Sequence, residues 1–214
     1  MHGKDIVRTG YDALAAEYTA SRREDSEDVR LLPELARRLP EGAKVLDAGC
    51  GAGVPVTRIL ARSFDVTGVD FSEAQLALAR KNVPQARFLR GDITQLDFPD
   101  GSFDAIVSYY AIIHIPRAEH RALMMKFHRI LKQGGWALLC LGANDLPDDL
   151  DEFMGAPMYW SHYDADTNLN MLSECGFTVE WHRIVPDSLD DSGGAHLFAL
   201  AQKAQSAPDG GANE

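Results

Sequence analysis

The chain has 214 residues, a length that predicts a single domain built around one hydrophobic core. Hydrophobic residues make up 45% of it and no apolar run approaches the length of a membrane span, so a globular protein is favoured. The formal net charge of −11 disfavours a nucleic-acid partner, because a phosphate backbone repels an acidic surface.

Two amphipathic helices are predicted at the start of the chain, and strands alternate with helices after them. The two helices cover residues 11–23 and 26–39, and Pro40-Glu41-Gly42 separates them from the rest. Ser72 and Gln75 have the spacing of a capping box, which predicts that a helix begins there. The elements of the first half after residue 40 are a strand at 44–47, a helix at 54–62, a strand at 64–69, a helix at 72–82 and strands at 86–90 and 103–109.

The second half continues the alternation. A helix is predicted from residue 117 to about 132, with Gly134-Gly135 at its stop. The later elements are a strand at 136–141, an acidic segment at 144–162, a helix at 164–175 and strands at 177–184 and 195–201. The acidic residues 145–152 are interpreted as a solvated loop. Alternating strands and helices predict an α/β protein with a mostly parallel sheet covered on both faces.

A glycine-rich turn follows the first strand. Asp47 is followed by glycines at alternate positions, Gly49, Gly51 and Gly53, and Asp70 ends the next strand. Such a turn lets the backbone approach a nucleoside, and a carboxylate at the tip of the second strand can accept from both ribose hydroxyls. The third glycine comes one residue earlier than in the dinucleotide pattern, and Asp47 would repel a pyrophosphate. These features disfavour an NAD-linked oxidoreductase and favour a ligand that carries an ammonium and a sulfonium.

Four polar features fall at or after the carboxyl ends of predicted strands. They are Gly49, Asp70, Asp92 and the pair Ser108-Tyr109. Ligands of open parallel sheets bind at this edge, so the sequence predicts one site there.

These motifs resemble those of class I S-adenosylmethionine-dependent methyltransferases. Residues 45–53 resemble the first motif of that family and residues 69–72 the second. Residues 98–108 resemble the fourth-strand region of the ubiquinone- and menaquinone-type enzymes, and residues 11–18 resemble a helix that lids their cofactor. The resemblance spans about residues 11–141. It implies a Rossmann-like seven-stranded mostly parallel sheet with helices on both faces and an antiparallel last strand.

The resemblance also implies S-adenosyl-L-methionine as the cofactor. Asp92 corresponds to the family's adenine-binding acid, with Ile93 and Phe71 placed to cover the ring. The predicted cofactor-binding residues are Tyr11, Tyr18, Asp47, Gly49, Gly51, Gly53, Asp70, Phe71, Asp92, Ile93 and Ser108. Residues 1–201 are expected to form the domain, with a helical lid at 1–40, a substrate-side insertion at 143–163 and a disordered tail at 202–214.

The acceptor site is predicted from the loop after strand four and from the insertion. The segment Ser108-Tyr109-Tyr110-Ala111 lacks the Asn/Asp-Pro-Pro-Tyr/Phe pattern of nucleobase and glutamine methylation, which leaves a small-molecule O, C, S or N acceptor. His114 is the candidate general base, or else a capping or packed histidine, and Tyr109 is the second candidate catalytic residue. Tyr109, His114, Tyr159, Trp160 and His162 are predicted to line one cavity. The last three are alternatively a hydrophobic plug.

The expected function is therefore methyl transfer to a small molecule. An RNA-directed methyltransferase and a non-catalytic S-adenosylmethionine-binding protein are the alternatives. Three widely spaced cysteines and the absence of an apolar leader predict reduced thiols in the cytoplasm. No membrane partner and no metal site are expected, and the chain is expected to be a monomer or a homodimer.

Overall fold

The computed structural model describes residues 3–187 and 194–204. Its centre is a seven-stranded sheet, and a separate two-stranded sheet lies beside it. Among the described residues the strands are β1 (Lys44–Ala48), β2 (Asp65–Asp70), β3 (Arg87–Arg90), β4 (Phe103–Ser108), β5 (Leu131–Gly142), β6 (Leu146–Phe153), β7 (Ala156–His162), β8 (Phe177–Pro186) and β9 (Ala195–Lys203). The large sheet has the order β3-β2-β1-β4-β5-β9-β8.

Strand directions follow the predicted fold class. β1 pairs in parallel with β2 and β4, β2 with β3, and β4 with β5. β9 runs antiparallel to both of its neighbours, β5 and β8. The predicted Rossmann-like sheet, mostly parallel with an antiparallel last strand, is confirmed.

Helices cover both faces of the large sheet. The helices of the described residues are α1 (Gly3–Ser21), α2 (Leu32–Ala36), α3 (Val56–Leu60), α4 (Glu73–Asn82), α5 (His120–Ile130) and α6 (Ala165–Glu174). Of these, α1 packs mainly on β7 and α4, and the others lie against the large sheet. Because successive strand residues point to opposite faces, Leu46 and Val45 of β1 belong to different cores. Leu46 lies in the cluster with Phe127 of α5 and Leu172 of α6. Val45 lies in the cluster with Leu60 of α3.

Helix starts follow local sequence signals. The Ser72 hydroxyl accepts a hydrogen bond from the Gln75 N–H at 3.1 Å, which confirms the predicted cap of α4. The Asp164 carboxylate accepts from the Thr167 N–H at 2.8 Å and caps α6 in the same way.

Several boundaries differ from the predicted ones. α1 begins at Gly3, well before residue 11. The single helix predicted over 26–39 is instead a 3-10 turn, Val29–Leu31, followed by the five-residue α2, whose first turn contains Pro33. β9 continues to Lys203, whose ammonium donates to the Leu131 carbonyl at 2.9 Å, so the ordered domain extends past residue 201. Of the tail predicted to be disordered, residues 205–214 lie outside the described residues.

The acidic segment is a β-hairpin and not the predicted solvated loop. β6 and β7 pair antiparallel around a turn at Met154 and Gly155, which have φ of 52° and 85°. Ala156 and Met158 of β7 form a third hydrophobic cluster with Val7 and Leu14 of α1. Packing of β7 on α1 therefore fixes a segment whose composition alone predicts a loop.

Within the described ranges, no helix combines the length and the apolar character that crossing a bilayer requires.

Candidate cofactor and acceptor site

The glycine turn lies directly after β1 and is fixed to the end of β2. The N–H groups of Gly49 and Cys50 both donate to the Val69 carbonyl, at 2.8 and 3.0 Å. Gly49 has a φ of 83°, and a Cβ there would come within 2.2 Å of the Ala111 Cβ. A side chain at Gly49 would therefore push apart the turn and the segment after β4.

Asp70 connects this turn to the start of α4. One of its carboxylate oxygens accepts from the Gly51 N–H and the other from the Ser72 N–H, each at 2.9 Å. Burial raises the pKa of Asp70 to about 6, although the backbone hydrogen bonds act in the opposite direction. The carboxylate remains mostly ionised at neutral pH.

Asp47 lies at the end of β1 on the other side of the turn. Its carboxylate is buried and accepts from the Thr57 hydroxyl at 2.5 Å. Burial raises the pKa of Asp47 to about 7, and the bond from Thr57 lowers it by less. A cation bound beside Asp47 would favour its ionised form.

Three adjoining cavities lie along the carboxyl ends of the strands. The first, of about 400 Å³, includes Asp70, Phe71, Asp92 and Ile93. The second, also about 400 Å³, includes Asp47, Gly51, Arg22 and Tyr109. The third, of about 310 Å³, includes Tyr11, Trp160 and Asp187. Gly49 borders the first and second cavities, Tyr18 and Tyr110 border the second and third, and His114 borders the first and third.

Helix α1 closes the first cavity through Lys4. The Lys4 ammonium contacts the carboxylates of Asp92 at 2.9 Å and Glu119 at 2.7 Å. Burial raises the pKa of Asp92, but the hydrogen bonds from Lys4 and Thr94 outweigh it and lower the pKa overall. The acid that the sequence predicts at the adenine edge is thus also an anchor for α1.

Some predicted cofactor residues lie behind the cavities. The Ser108 hydroxyl donates to the Ala48 carbonyl at 2.8 Å and ties β4 to β1. Gly53, with a φ of 73°, packs against Val83 and Phe88. Neither Ser108 nor Gly53 lines the three cavities.

The third cavity includes two of the five side chains predicted to share an acceptor pocket. His114 and Trp160 line it, with ring centres 5.6 Å apart. Tyr109 lines the second cavity, where its hydroxyl donates to the Asp28 carbonyl at 3.1 Å. The Tyr159 hydroxyl bonds to Asp148, and a ring nitrogen of His162 bonds to the Asn144 carbonyl. The structure therefore does not bring the side chains of Tyr109, Tyr159 and His162 into the third cavity.

His114 is held as a neutral imidazole. Its Nδ1 lies 2.7 Å from the Tyr159 carbonyl, which only accepts, so Nδ1 carries the proton. Its Nε2 therefore accepts from the Tyr11 hydroxyl at 3.1 Å. Burial lowers the pKa of His114 to about 4. A histidine of this kind is a weak base at neutral pH but a good hydrogen-bond acceptor.

Comparison with known proteins agrees with the motifs. Residues 45–135 match a family described as "Methyltransferase domain". The chain is 38% identical over 136 residues to trans-aconitate 2-methyltransferase of Variovorax paradoxus, covering 61% of this chain and 49% of that protein. It is 32% identical over 155 residues to an uncharacterized methyltransferase of Synechocystis sp., covering 69% of this chain and 73% of that protein. The chain belongs to the S-adenosylmethionine-dependent methyltransferases.

The fold comparison is consistent with this family. An S-adenosylmethionine-dependent methyltransferase of Methanosarcina mazei superposes with a TM-score of 0.71 at 22% identity, covering 81% of this chain and 98% of that one. The chain spans about half the length of the Variovorax relative. The predicted enzyme class and the cofactor, S-adenosyl-L-methionine, are confirmed at the level of the methyltransferase family.

The sequence interpretation missed Arg22, the methyltransferase residue best placed to bind a carboxylate. Arg22 is buried in the second cavity, and its Nη2 contacts the Asp28 carboxylate at 2.7 Å. Its Nη1 is also buried and has no hydrogen-bond partner in the described part of the chain. Tyr11, Tyr18 and Arg22 are spaced by seven and four residues, which would put them on one face of the helix predicted over 11–23, and in the structure Arg22 directly follows the end of α1. That spacing is the signal that could have revealed Arg22.

Tyr110 is the second residue that the sequence interpretation missed. It has a φ of 55°, uncommon for a residue with a side chain. Its buried hydroxyl has no hydrogen-bond partner in residues 3–187 and 194–204. The Arg22 guanidinium lies over its ring, 4.7 Å from the centre. Tyr110 thus stands between the second and third cavities with an unused donor.

The described residues include no group of three or more His, Cys, Asp or Glu side chains able to hold a metal ion. Cys50, Cys140 and Cys175 are buried free thiols.

Proposed function

We propose that this methyltransferase transfers the methyl group of S-adenosylmethionine to a small-molecule acceptor bound in the third cavity. The supporting observation is the junction of the three cavities at Gly49, Tyr18, Tyr110 and His114. The first two cavities carry charged side chains that complement the charges of the cofactor. The third cavity, which they meet, is walled by aromatic side chains. The accepting molecule lies next to the cofactor without sharing its space.

Charged side chains in the first two cavities complement the cofactor. Asp70 presents its carboxylate to the ribose hydroxyls, and Asp92 presents one to the adenine amine. Arg22 offers its unpartnered Nη1 to the carboxylate of the methionine part, and Asp47 offers a negative charge to its ammonium. When bound, the cofactor supplies a methyl group on a positively charged sulfur. The neutral state of His114 avoids a second positive charge next to that sulfur.

The chain contributes alignment and exclusion of water more than acid–base chemistry. Tyr11 and Tyr18 of α1, together with Phe153 and Trp160 of the hairpin, shield the third cavity. The Nε2 of His114 accepts a hydrogen bond from the acceptor in place of Tyr11 and directs the acceptor's lone pair. That His114 acts as a general base stays a prediction. It would apply to an acceptor that must lose a proton before it attacks, such as a hydroxyl or a thiol.

The surroundings of the third cavity favour a small molecule over RNA. β6 and β7 cover the cavity, and β6 carries the acidic residues Asp148, Asp149, Asp151 and Glu152. An acidic cover repels a phosphate backbone, and the cavity is walled by aromatic side chains and carries no Lys or Arg among its described lining residues.

Replacing Asp70 with alanine is expected to weaken cofactor binding by about 10- to 100-fold, because charge-assisted hydrogen bonds to the ribose are lost. Titration calorimetry with S-adenosylmethionine and with S-adenosylhomocysteine measures the effect. Asp65→Ala, at the exposed start of the same strand, is the matched control and should bind like the wild type. Absence of cofactor binding by the wild-type chain would overturn the proposed function.

Helix α1 is expected to act as a lid. Amide hydrogen exchange over residues 8–23 should slow when S-adenosylhomocysteine is added, because Tyr11, Tyr18 and Arg22 gain a ligand to pack on. The amides of α6, which lines none of the three cavities, provide the internal control. Equal exchange rates in α1 with and without the ligand would show that this helix only packs on the domain.

A further inference from the structure

Five aromatic rings line the third cavity, and four of them, from α1 and the hairpin, contact one another in a row. Tyr11 and Tyr18 come from α1, Tyr110 follows β4, and Phe153 and Trp160 come from the hairpin. Ring centres are 5.2 Å apart for Tyr11–Tyr18, 6.2 Å for Tyr18–Phe153 and 6.3 Å for Phe153–Trp160, all with edge-to-face tilts. The electron-rich faces of such rings attract cations.

The one charged side chain among the described lining residues of this cavity is acidic, and the nearby Arg22 guanidinium is packed on the Tyr110 ring. Asp187 is the one carboxylate among its described lining residues, and no Lys or Arg is among them. The Asp187 carboxylate accepts from the Nε2 of His196 at 3.1 Å, which fixes its orientation at the wall. His114 also lines the cavity, and an unperturbed histidine titrates near neutral pH. Burial lowers the pKa of His114 to about 4, so it is neutral at pH 7.

The hairpin that covers the cavity extends the negative field outward. Asp151 and Glu152 are exposed and Asp149 is partly exposed. No Lys or Arg in the described ranges forms an ion pair with any of the three. Together with the net charge of −11, these acids would draw a small cation toward the cavity and repel a carboxylate or a phosphate.

We infer, on the basis of the proposed function, that the acceptor atom is the nitrogen of a small amine or nitrogen heterocycle. An amine that enters as its ammonium first releases a proton to water. The nitrogen lone pair then forms the N–C bond, the C–S bond breaks and its electron pair stays on sulfur. The positive charge passes from sulfur to nitrogen, and a nitrogen that still carries a hydrogen then releases a proton to water. The aromatic wall and Asp187 face the atom on which that charge develops, so they stabilise the transition state.

A hydroxyl acceptor fits this cavity less well. It would have to lose its proton to become a strong nucleophile, and the resulting oxyanion would face Asp187. An ammonium loses its proton to water far more readily than an alcohol does, and a weakly basic ring nitrogen attacks without losing one, which agrees with the weak basicity of His114. An amine N–H can also donate to the Nε2 of His114 in place of the Tyr11 hydroxyl, which lies 3.1 Å away.

Binding of three naphthyl probes tests this inference without knowledge of the natural acceptor. They are 2-naphthylmethylamine, its N,N,N-trimethyl derivative and 2-naphthylacetate, titrated into the full chain saturated with S-adenosylhomocysteine. Both cations are expected to bind at least about tenfold more tightly than the carboxylate. Asp187→Asn should reduce that preference about tenfold, and Trp160→Leu should weaken the two cations in particular.

Asp145→Asn is the matched control, since it removes the same charge from an exposed residue that pairs with Arg117 and does not line the cavity. It should leave the preference for cations unchanged. Equal or tighter binding of 2-naphthylacetate, no binding of the cations, or an unchanged preference in Asp187→Asn would overturn the inference while the proposed function stands. A wild-type chain that does not bind S-adenosylhomocysteine would overturn both.

Discussion

Replacing Arg22 with alanine is expected to lower the free energy of unfolding by about 3–5 kcal/mol, because Asp28 is then left buried without a counter-charge. The side chains of Arg22 and Asp28 are 3% and 1% exposed and lie 2.7 Å apart. The same variant should lose affinity for S-adenosylmethionine, since the guanidinium faces the second cavity. Urea denaturation measures the first effect and calorimetry the second.

The neighbouring Arg23 is the control for this experiment. Arg23 is exposed and pairs with Asp25, which is also exposed, at 2.9 Å. Arg23→Ala should therefore change stability and cofactor binding little. An Arg22→Ala chain as stable as the Arg23→Ala chain would contradict the assignment of a buried ion pair. The double variant Arg22→Met/Asp28→Asn removes both charges of the pair. If it has normal stability but binds the cofactor weakly, the role of Arg22 in cofactor binding is separate from its role in stability.

Replacing His114 with alanine is expected to slow the chemical step by about 10²-fold while cofactor affinity stays nearly unchanged. The Nε2 of His114 lies where the first and third cavities meet, so its loss removes the group that orients the acceptor. Single-turnover kinetics, with an acceptor that the wild type methylates, measure the effect.

His120 is a matched control for His114. It is also buried, its pKa is also lowered to about 4 by burial, and its Nε2 bonds to the Ile115 carbonyl at 2.9 Å. It lines none of the three cavities. His120→Ala should therefore reduce thermal stability without a comparable loss in the single-turnover rate. A His114→Ala chain with the full rate would show that the cavity walls alone align the acceptor.

The features that were predictable from the sequence are those encoded in short stretches of chain. The turn after Asp47 and the acid Asp70 are encoded within one strand–turn–helix–strand unit, where spacing dictates geometry. The Ser72 cap and the order of strands are local in the same sense. Asp92 was predicted at the edge of the sheet, but its contact with Lys4 joins residues 88 positions apart and has no sequence signature.

The features that were not predictable depend on packing between distant segments. Composition identifies residues 145–152 as a loop, and long-range contacts stabilise the hairpin: β7 packs on α1, and the Tyr159 carbonyl accepts from His114 Nδ1 at 2.7 Å. Its turn uses Met154 before Gly155, where the typical signal is Asn-Gly. The sequence interpretation places Tyr109 in the acceptor cavity, whereas in the structure Tyr110 lines the third cavity. Tyr110 has a positive φ, which the sequence does not reveal.

The third hydrophobic cluster has a consequence for how this protein can change over evolution. Its buried members are Val7 and Leu14 of α1 with Ala156 and Met158 of β7, none of which belongs to the two cores of the large sheet. Mutations that remodel the hairpin therefore act mainly on this cluster and leave the sheet and its glycine turn intact. Under the proposed function, substitutions in this one hairpin would change the acceptor while the glycine turn and Asp70, which face the methyl donor, keep their sequence.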